Sequence, residues 1–401
     1  MNILMAHNFY QQSGGEDQSF LAEAGMLEAF GHHVTRYALH NDEVAEIGAA
    51  RTAVRTVWSA PAARDVLRLV RANKVRVAHF QNTFPLISPA AYYAARRGGA
   101  VVVQALRNYR LTCSNALLFR EGKVCELCLG KFMPLHGVRH RCYRDSLAGS
   151  AVVAAMIGTH KTLGTYRRQV DTYIAISEFV KQKYVEAGFD PEQIVVKPNV
   201  VAPDPGVGEG RGGFALFVGR LTEEKGVRTL LRAWQRPGLP PLRIVGDGPL
   251  AGEVEAAARE PGIEFVGRRT LAQTHDLMGE ASAVIVPSEW YEPFGRVVVE
   301  AYAKGTPVIA AASGGMTELV EPGRTGALFR PGDADDLADK LKWLLGQGSG
   351  LAELRRRARA AYLQSYTPER NHAQLMDIYE NALSRGPRTR TSRFAAPEAE
   401  G

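Results

Sequence analysis

The stretch PSEWYEPFGRVVVEAYAKGTPVI, Pro287 to Ile309, decides the fold. The apolar run Ala283 to Val286 leads into Pro287-Ser288 and reads as a buried strand. A short acidic and aromatic loop, Glu289 to Gly295, follows it. A helix is then expected from about Arg296 to Lys304, stopped by Gly305. Two carboxylates, Glu292 and Glu300, bracket the turn with seven residues between them. Phe294 and Gly295 stand at the helix start, where unpaired backbone N–H groups favour an anion. A phosphate suits that start, and sugar hydroxyls suit the carboxylates.

Working outward, strand and helix alternate along the whole chain. In the first half, strands are expected at Asn2–Ala6, His33–Leu39, Val75–Phe80, Ala100–Ala105, Thr172–Ile176 and Ile194–Lys197. A polar loop with Gly14-Gly15 precedes a helix from Asp17 to Phe30. In the second half, strands are expected at Phe214–Val218, Leu242–Val245, Ile263–Val266, Ala283–Val286 and Pro307–Ala310. Such alternation gives parallel sheets covered on both faces, with ligands at the carboxyl ends of the strands. The fold class is therefore α/β, with two Rossmann-like domains. The Gly- and Pro-rich segment 200–213 reads as the linker between a domain over 1–199 and another over 214–384. Residues 385–401 have no apolar period and read as a disordered tail.

A chain of 401 residues with 45% hydrophobic and 23% charged residues is a globular protein, not a fibrous or disordered one. The formal charge of +7 reads either as an ordinary surface or as attraction to anionic substrates or an anionic membrane face. The first residues lack the basic region of a secretion signal, and no apolar run is long enough to span a bilayer. The expected location is the cytoplasm, with peripheral contact on the inner membrane face as an extension of that reading. The basic residues form no stripe interleaved with aromatics, which argues against nucleic acid as a partner.

The second half carries further strand-ending motifs. Gly219-Arg220 and Lys225-Gly226 follow the strand at Phe214–Val218, placing two cations just past its carboxyl end. Arginine offers a planar fork to phosphate oxygens and lysine a mobile point charge. Gly246-Asp247-Gly248-Pro249 and Gly314-Gly315 end two other strands.

In this order, GRLTEEKG, GDGP, EFVGR, PSEWYEPFGRVVVEA, GTPVIA and SGG resemble the retaining glycosyltransferases of family 4. That resemblance implies the GT-B architecture, two Rossmann-like domains facing a central cleft, with the last helix able to pack back on the first domain. It implies transfer of a sugar from a nucleotide-diphosphate sugar to a glycan or lipid-linked acceptor, with retention of configuration, in bacterial surface polysaccharide synthesis. The catalytic set it implies is Arg220, Lys225 and Glu292. Arg220 and Lys225 would hold the donor diphosphate beside Gly219, and Glu292 would contact the transferred sugar with the Phe294 and Gly295 backbone. Glu300 would bind the donor ribose, and Arg268 matches a position whose backbone meets the base. Gly14-Gly15 matches the glycine turn that approaches the donor phosphate and acceptor. Cations and helix N–H groups suffice to stabilise a leaving diphosphate, so no catalytic metal or cofactor is demanded. The alternatives are a GT-B epimerase or phosphorylase, or a non-catalytic sugar-binding relative. The first pair needs acid/base residues or a pyridoxal lysine that cannot be placed, and the intact Arg220, Lys225, Glu292 and Glu300 argue against the last.

The first domain departs from the family pattern. Arg107 stands where many relatives carry a histidine that touches the donor sugar, and Gln81 replaces the second histidine of a His-x-His-Asn run beginning at His79. Arg107 reads equally as a ligand for an anionic sugar or acceptor phosphate and as a salt-bridged structural arginine. His79 is a sugar or acceptor candidate with a core histidine as its alternative, and His7 is a further acceptor candidate.

Cys113, Cys125, Cys128 and Cys142 are the chain's four cysteines and fall within one insert, about 107–145. Their spacing fits a structural zinc knuckle, with buried free thiols or a redox pair as the alternatives. The insert resembles one found in a subset of family 4 enzymes linked to surface polysaccharide synthesis. Around it lie Arg139, His140, Arg141, Arg144, Lys161, Arg167 and Arg168, read either as a site for lipid diphosphate or membrane headgroups or as a solvated basic face.

Overall fold

The computed structural model describes residues 1–12 and 14–385. Continuous Val, Ile, Leu and Ala runs leave no polar face, so their strands need helices on both sides. The first domain meets that need with six parallel strands. These begin with β1 (Asn2–Phe9), β2 (His33–His40), β3 (Val77–Asn82) and β4 (Val101–Leu106). The insert then forms a two-stranded hairpin, β5 (Phe119–Arg120) and β6 (Lys123–Val124). β7 (Thr172–Ala175) and β8 (Ile194–Val196) complete the sheet, whose order is β2-β1-β3-β4-β7-β8. Every residue of β3 and β4 is buried.

The second domain repeats the scheme with β9 (Ala215–Val218), β10 (Leu242–Val245), β11 (Ile263–Gly267), β12 (Ala283–Val286), β13 (Val308–Ala311) and β14 (Gly326–Phe329). Their order, β11-β10-β9-β12-β13-β14, is all parallel. In both sheets the strand order reverses beside the first strand. A crevice opens there at the carboxyl ends, between β1 and β3 and between β9 and β12. Gln81–Asn82, Gly219–Lys225 and Pro287–Gly295 stand at those ends.

Two boundaries differ from expectation. β1 continues to Phe9 and the following helix begins at Gly15, so the glycine loop is shorter than its polar composition suggests. The helices Glu43–Ile47 and Ala49–Val57 and the strand β14 form without a strong local signal. Neither helix has a side-chain cap, and β14 opens on a glycine whose added Cβ would lie 1.8 Å from the Val308 carbonyl.

The segment 200–213 holds no regular element, yet it is anchored to the second domain. Gly208, Gly210 and Gly212 donate backbone N–H groups to the carbonyls of Lys304, Gly279 and Glu280. The last helix, Pro368–Arg385, returns to the first domain. Its Leu375, Tyr379 and Ala382 are buried against Ile3, Met5, Phe20, Val77 and Val103. The tail expected over 385–401 lies, from residue 386 on, outside the described residues. No helix among the described residues is long and apolar enough to cross a membrane.

Candidate active site

β9 and β12 are parallel neighbours, so the loops leaving their carboxyl ends meet. Gly226 has φ +69, and a Cβ there would lie 1.8 Å from the Pro287 carbonyl oxygen. The loop carrying Lys225 thus turns directly against the backbone that leads to Glu292. Lys225 Nζ reaches Glu292 Oε2 at 2.6 Å. Ser288 Oγ and Trp290 Nε1 each donate to the same oxygen at 3.0 Å. The Trp290 ring lies 5.2 Å from the ammonium. Burial alone pushes the Glu292 carboxyl up; the Lys225 charge and the three hydrogen bonds outweigh it and hold the carboxyl below its ordinary value. Glu292 is therefore a firmly ionised acceptor.

Behind this loop lies the Gly314-Gly315 turn. Gly314 has φ +59, and a Cβ there would come within 2.3 Å of the Glu292 carbonyl. Gly315 N donates to that carbonyl at 2.8 Å, and Ser313 Oγ donates to the Trp290 carbonyl at 2.7 Å. Backbone contact of this kind fixes the loop without a side chain between.

Arg220 stands at the lip of the site. Its side chain is half exposed and touches Glu224 at 3.4 Å. Gly295, with φ +87, opens the helix Arg296–Ala303. Glu300 sits one turn inside and accepts from Arg296 Nε at 2.7 Å. Arg296 Nη1 also reaches Ser19 Oγ of the first domain at 3.4 Å and the Val200 carbonyl at 3.3 Å. Arg268 is exposed after Gly267, at the end of β11, two strands away from β9.

In the first domain, Gly14 and Gly15 begin the helix Gly15–Ala29, and a Cβ on either would meet nothing within 4 Å. The turn therefore faces open space. Asp17 braces it from below, accepting from Gly14 N at 3.1 Å and pairing with His7 Nε2 at 2.8 Å. His7 is buried and stacked on Phe20, and through Asp17 it braces the glycine turn.

The other two expected contacts are also occupied. His79 is buried, its Nδ1 2.7 Å from the Tyr379 hydroxyl, and burial pushes its pKa down to about 4. Arg107 is buried, pairs with Glu23 at 2.6 Å, and bonds to Gln81 and Asn199. Of its two readings, the geometry matches the salt-bridged arginine. Half-buried alternatives near the same strand ends are Glu16 and Asn108, joined at 2.8 and 3.0 Å, with the Tyr10 hydroxyl 3.3 Å from Glu16. Sequence reasoning missed this cluster, and it missed Arg296, whose spacing of four from Glu300 is a readable helix-pair signal.

Cys113, Cys125, Cys128 and Cys142 line one small cavity with His136 and His140. All four are free thiols. Among the described residues, no three His, Cys, Asp or Glu side chains stand where they could hold a metal ion. The donor set suits zinc in kind but is not drawn to ligand spacing.

Residues 213–347 match the family model described as Glycosyl transferases group 1. The chain is 27% identical over 264 residues to an uncharacterized 42.6 kDa protein in the cps region of Klebsiella pneumoniae, covering 64% of this chain and 62% of that one. It is 37% identical over 155 residues to a glycogen synthase of Mycobacterium tuberculosis, covering 36% of each chain. The chain thus spans less than two thirds of the length of these relatives. The crystal structure of Anabaena Alr3699/HepE with UDP-glucose superposes with a TM-score of 0.69 at 19% identity, over 95% of this chain and all of that one. That likeness shows the fold, which is GT-B.

Proposed function

We propose that the chain is a glycosyltransferase that moves a sugar from a nucleotide-diphosphate sugar to a glycan or lipid-linked acceptor, with retention of configuration. The observation that carries the reading is the Lys225–Glu292 contact at the meeting of the β9 and β12 ends, next to a helix start. Lys225 and the half-exposed Arg220 offer cations to the diphosphate, and the Phe294–Gly295 turn offers backbone N–H groups. Glu292 stays ionised and accepts sugar hydroxyls. Its three donors leave it a poor proton source or nucleophile, which disfavours a paired-carboxylate hydrolysis.

In the proposed step the acceptor oxygen bonds to the anomeric carbon as the bond from that carbon to the phosphate oxygen breaks. The acceptor's proton passes to the departing diphosphate, and Arg220 and Lys225 stabilise the charge that develops there. The role of Glu300 is the donor ribose; the nearby Arg296 holds its carboxylate in place. The UDP-glucose bound by the Anabaena neighbour and the cps-region setting of the Klebsiella relative support a nucleotide-sugar donor and a role in bacterial surface polysaccharide synthesis. The proposed setting is the cytoplasm, with peripheral contact at an anionic membrane face. Exposed Phe132 and Leu135 lie between Lys131 and Arg139, which supports that contact, and flotation with anionic vesicles at low salt tests it.

Lys225→Ala and Glu300→Ala are expected to lower transfer at least about a hundredfold while leaving the far-ultraviolet spectrum unchanged. Near-normal rates in either variant would remove the donor-site assignment.

A further inference from the structure

The loop 289–295 belongs to no helix or strand, so its buried backbone groups need partners from elsewhere. Four successive carbonyls find theirs alternately in the two domains. The Trp290 carbonyl accepts from Ser313 Oγ at 2.7 Å and the Glu292 carbonyl from Gly315 N at 2.8 Å, both in the second domain. The Tyr291 carbonyl accepts from the Tyr109 hydroxyl at 3.1 Å and the Pro293 carbonyl from Ser177 Oγ at 2.7 Å, both in the first domain. On each side of Glu292, therefore, stands a carbonyl held from across the interface.

The two first-domain donors are themselves fixed. Ser177 is buried just past the end of β7 and caps the helix Glu178–Glu186, accepting from Val180 N at 3.1 Å. A hydroxyl that accepts in this way still has its one hydrogen to give, and it goes to the Pro293 carbonyl. Tyr109 is buried, and its own carbonyl accepts from Cys113 N at 2.8 Å near the start of the insert. The second domain returns the contact. Glu318 accepts from Glu178 N and Phe179 N at 2.9 and 2.6 Å, in the first turn of the helix that Ser177 caps. A carboxylate suits that place, because the first amides of a helix have no partner within it.

We propose that Ser177 is a positioning residue: with Tyr109 it holds the backbone on either side of Glu292, so that the donor-sugar site is incomplete without the first domain. The carboxylate itself is held by Lys225, Ser288 and Trp290, all in the second domain. Those bonds fix it against the end of β9 and its own loop. Ser177 and Tyr109 fix the loop against the first domain, which carries the Gly14-Gly15 turn. The effect on ligand rests on reading Glu292 as the contact to the transferred sugar; the hold on the loop does not.

Hydrogen exchange on the full chain, with titration of UDP and UDP-glucose, tests it. Glycine in place of serine at a helix cap costs little, so Ser177→Gly removes the hydroxyl donor and largely spares the helix. Ser177→Gly and Tyr109→Phe are each expected to raise deuterium uptake over 289–295 about twofold or more, while β9 and β13 are unmoved. Ser177→Thr, which keeps a hydroxyl, is expected to keep the wild-type uptake. Affinity for UDP-glucose is expected to fall about five- to tenfold in Ser177→Gly, with that for UDP within about twofold of wild type, because the sugar alone meets Glu292. Unchanged uptake in Ser177→Gly, a rise that β9 and β13 share, or UDP-glucose affinity that falls no more than UDP affinity overturns the proposal. If neither ligand binds the wild type, the donor reading fails while the exchange data still decide the hold on the loop.

Discussion

Glu23 is buried beneath the first sheet, paired with Arg107 at 2.6 Å and with Lys197 at 3.5 Å. Burial pushes its carboxyl up, but Lys197, His79, Arg107 and a Gln81 hydrogen bond prevail and hold it at about 2. His79 is pushed down to about 4, chiefly by burial. Both folded values lie below the ordinary ones, so at acid pH the unfolded chain binds protons that the folded chain does not. Stability is therefore lost as pH falls, from about 6.5 to 4 through His79 and from about 4.5 to 2 through Glu23. Urea midpoints measured across that range are expected to fall steadily toward acid; a flat profile contradicts the network. Arg107→Ala, which leaves Glu23 buried without its nearest cation, is expected to cost about 3–5 kcal/mol in urea denaturation. A stable variant with only weakened ligand binding would return Arg107 to the cleft. The salt-bridged arginine and the core histidine were each one of two readings in sequence, but their partners were not legible, because Arg107 finds Glu23 and Asn199 some ninety positions away along the chain and His79 finds Tyr379 three hundred away.

At the scale of elements, the helix Pro368–Arg385 carries more than its position suggests. Leu375 is fully buried in the first domain's core, and Leu375→Ala is expected to destabilise by about 2–5 kcal/mol. Chemical denaturation measures it, and a cost below about 1 kcal/mol would mean the helix is not docked. The strands of both sheets, β14 apart, were legible because continuous apolar runs bounded by glycine or proline admit few other readings. The hairpin in the insert and the short helices after β2 were not, since two-residue strands and uncapped five- and nine-residue helices form only in tertiary context. For the insert itself, tetrathiolate zinc is our proposal, carried by four thiols around one cavity, and it requires them to draw closer than their places in the structure. Burial first, then the neighbouring Cys113, push the Cys128 thiol up to about 11, which disfavours its thiolate in the metal-free protein. Elemental analysis of purified protein is expected to give about one zinc per chain. A metal content near zero with the first domain folded rejects the knuckle.

Across the whole molecule, two sheets of the same kind present their switch points to one another, and the chain crosses between them more than once. Arg296 to Ser19, Ser177 to Pro293 and Tyr109 to Tyr291 join the domains at the cleft, while Glu318 accepts from the first two backbone N–H groups of the helix Glu178–Glu186. The second domain's half of the site was readable because its motifs are local: each cation or carboxylate sits in the loop that leaves a strand end or in the first turns of the helix after it. Contacts between domains were not, because Tyr109 and Tyr291 carry no signal until the fold brings them together. The central claim is that Arg220, Lys225 and the helix start form a diphosphate site. Calorimetric titration of wild type and Lys225→Ala with UDP, GDP and ADP tests it most directly. The account predicts that at least one nucleoside diphosphate binds the wild type and that Lys225→Ala weakens it at least about tenfold, about 1.4 kcal/mol. Equal affinity in the two proteins, or no binding of any of the three to the wild type, would contradict it.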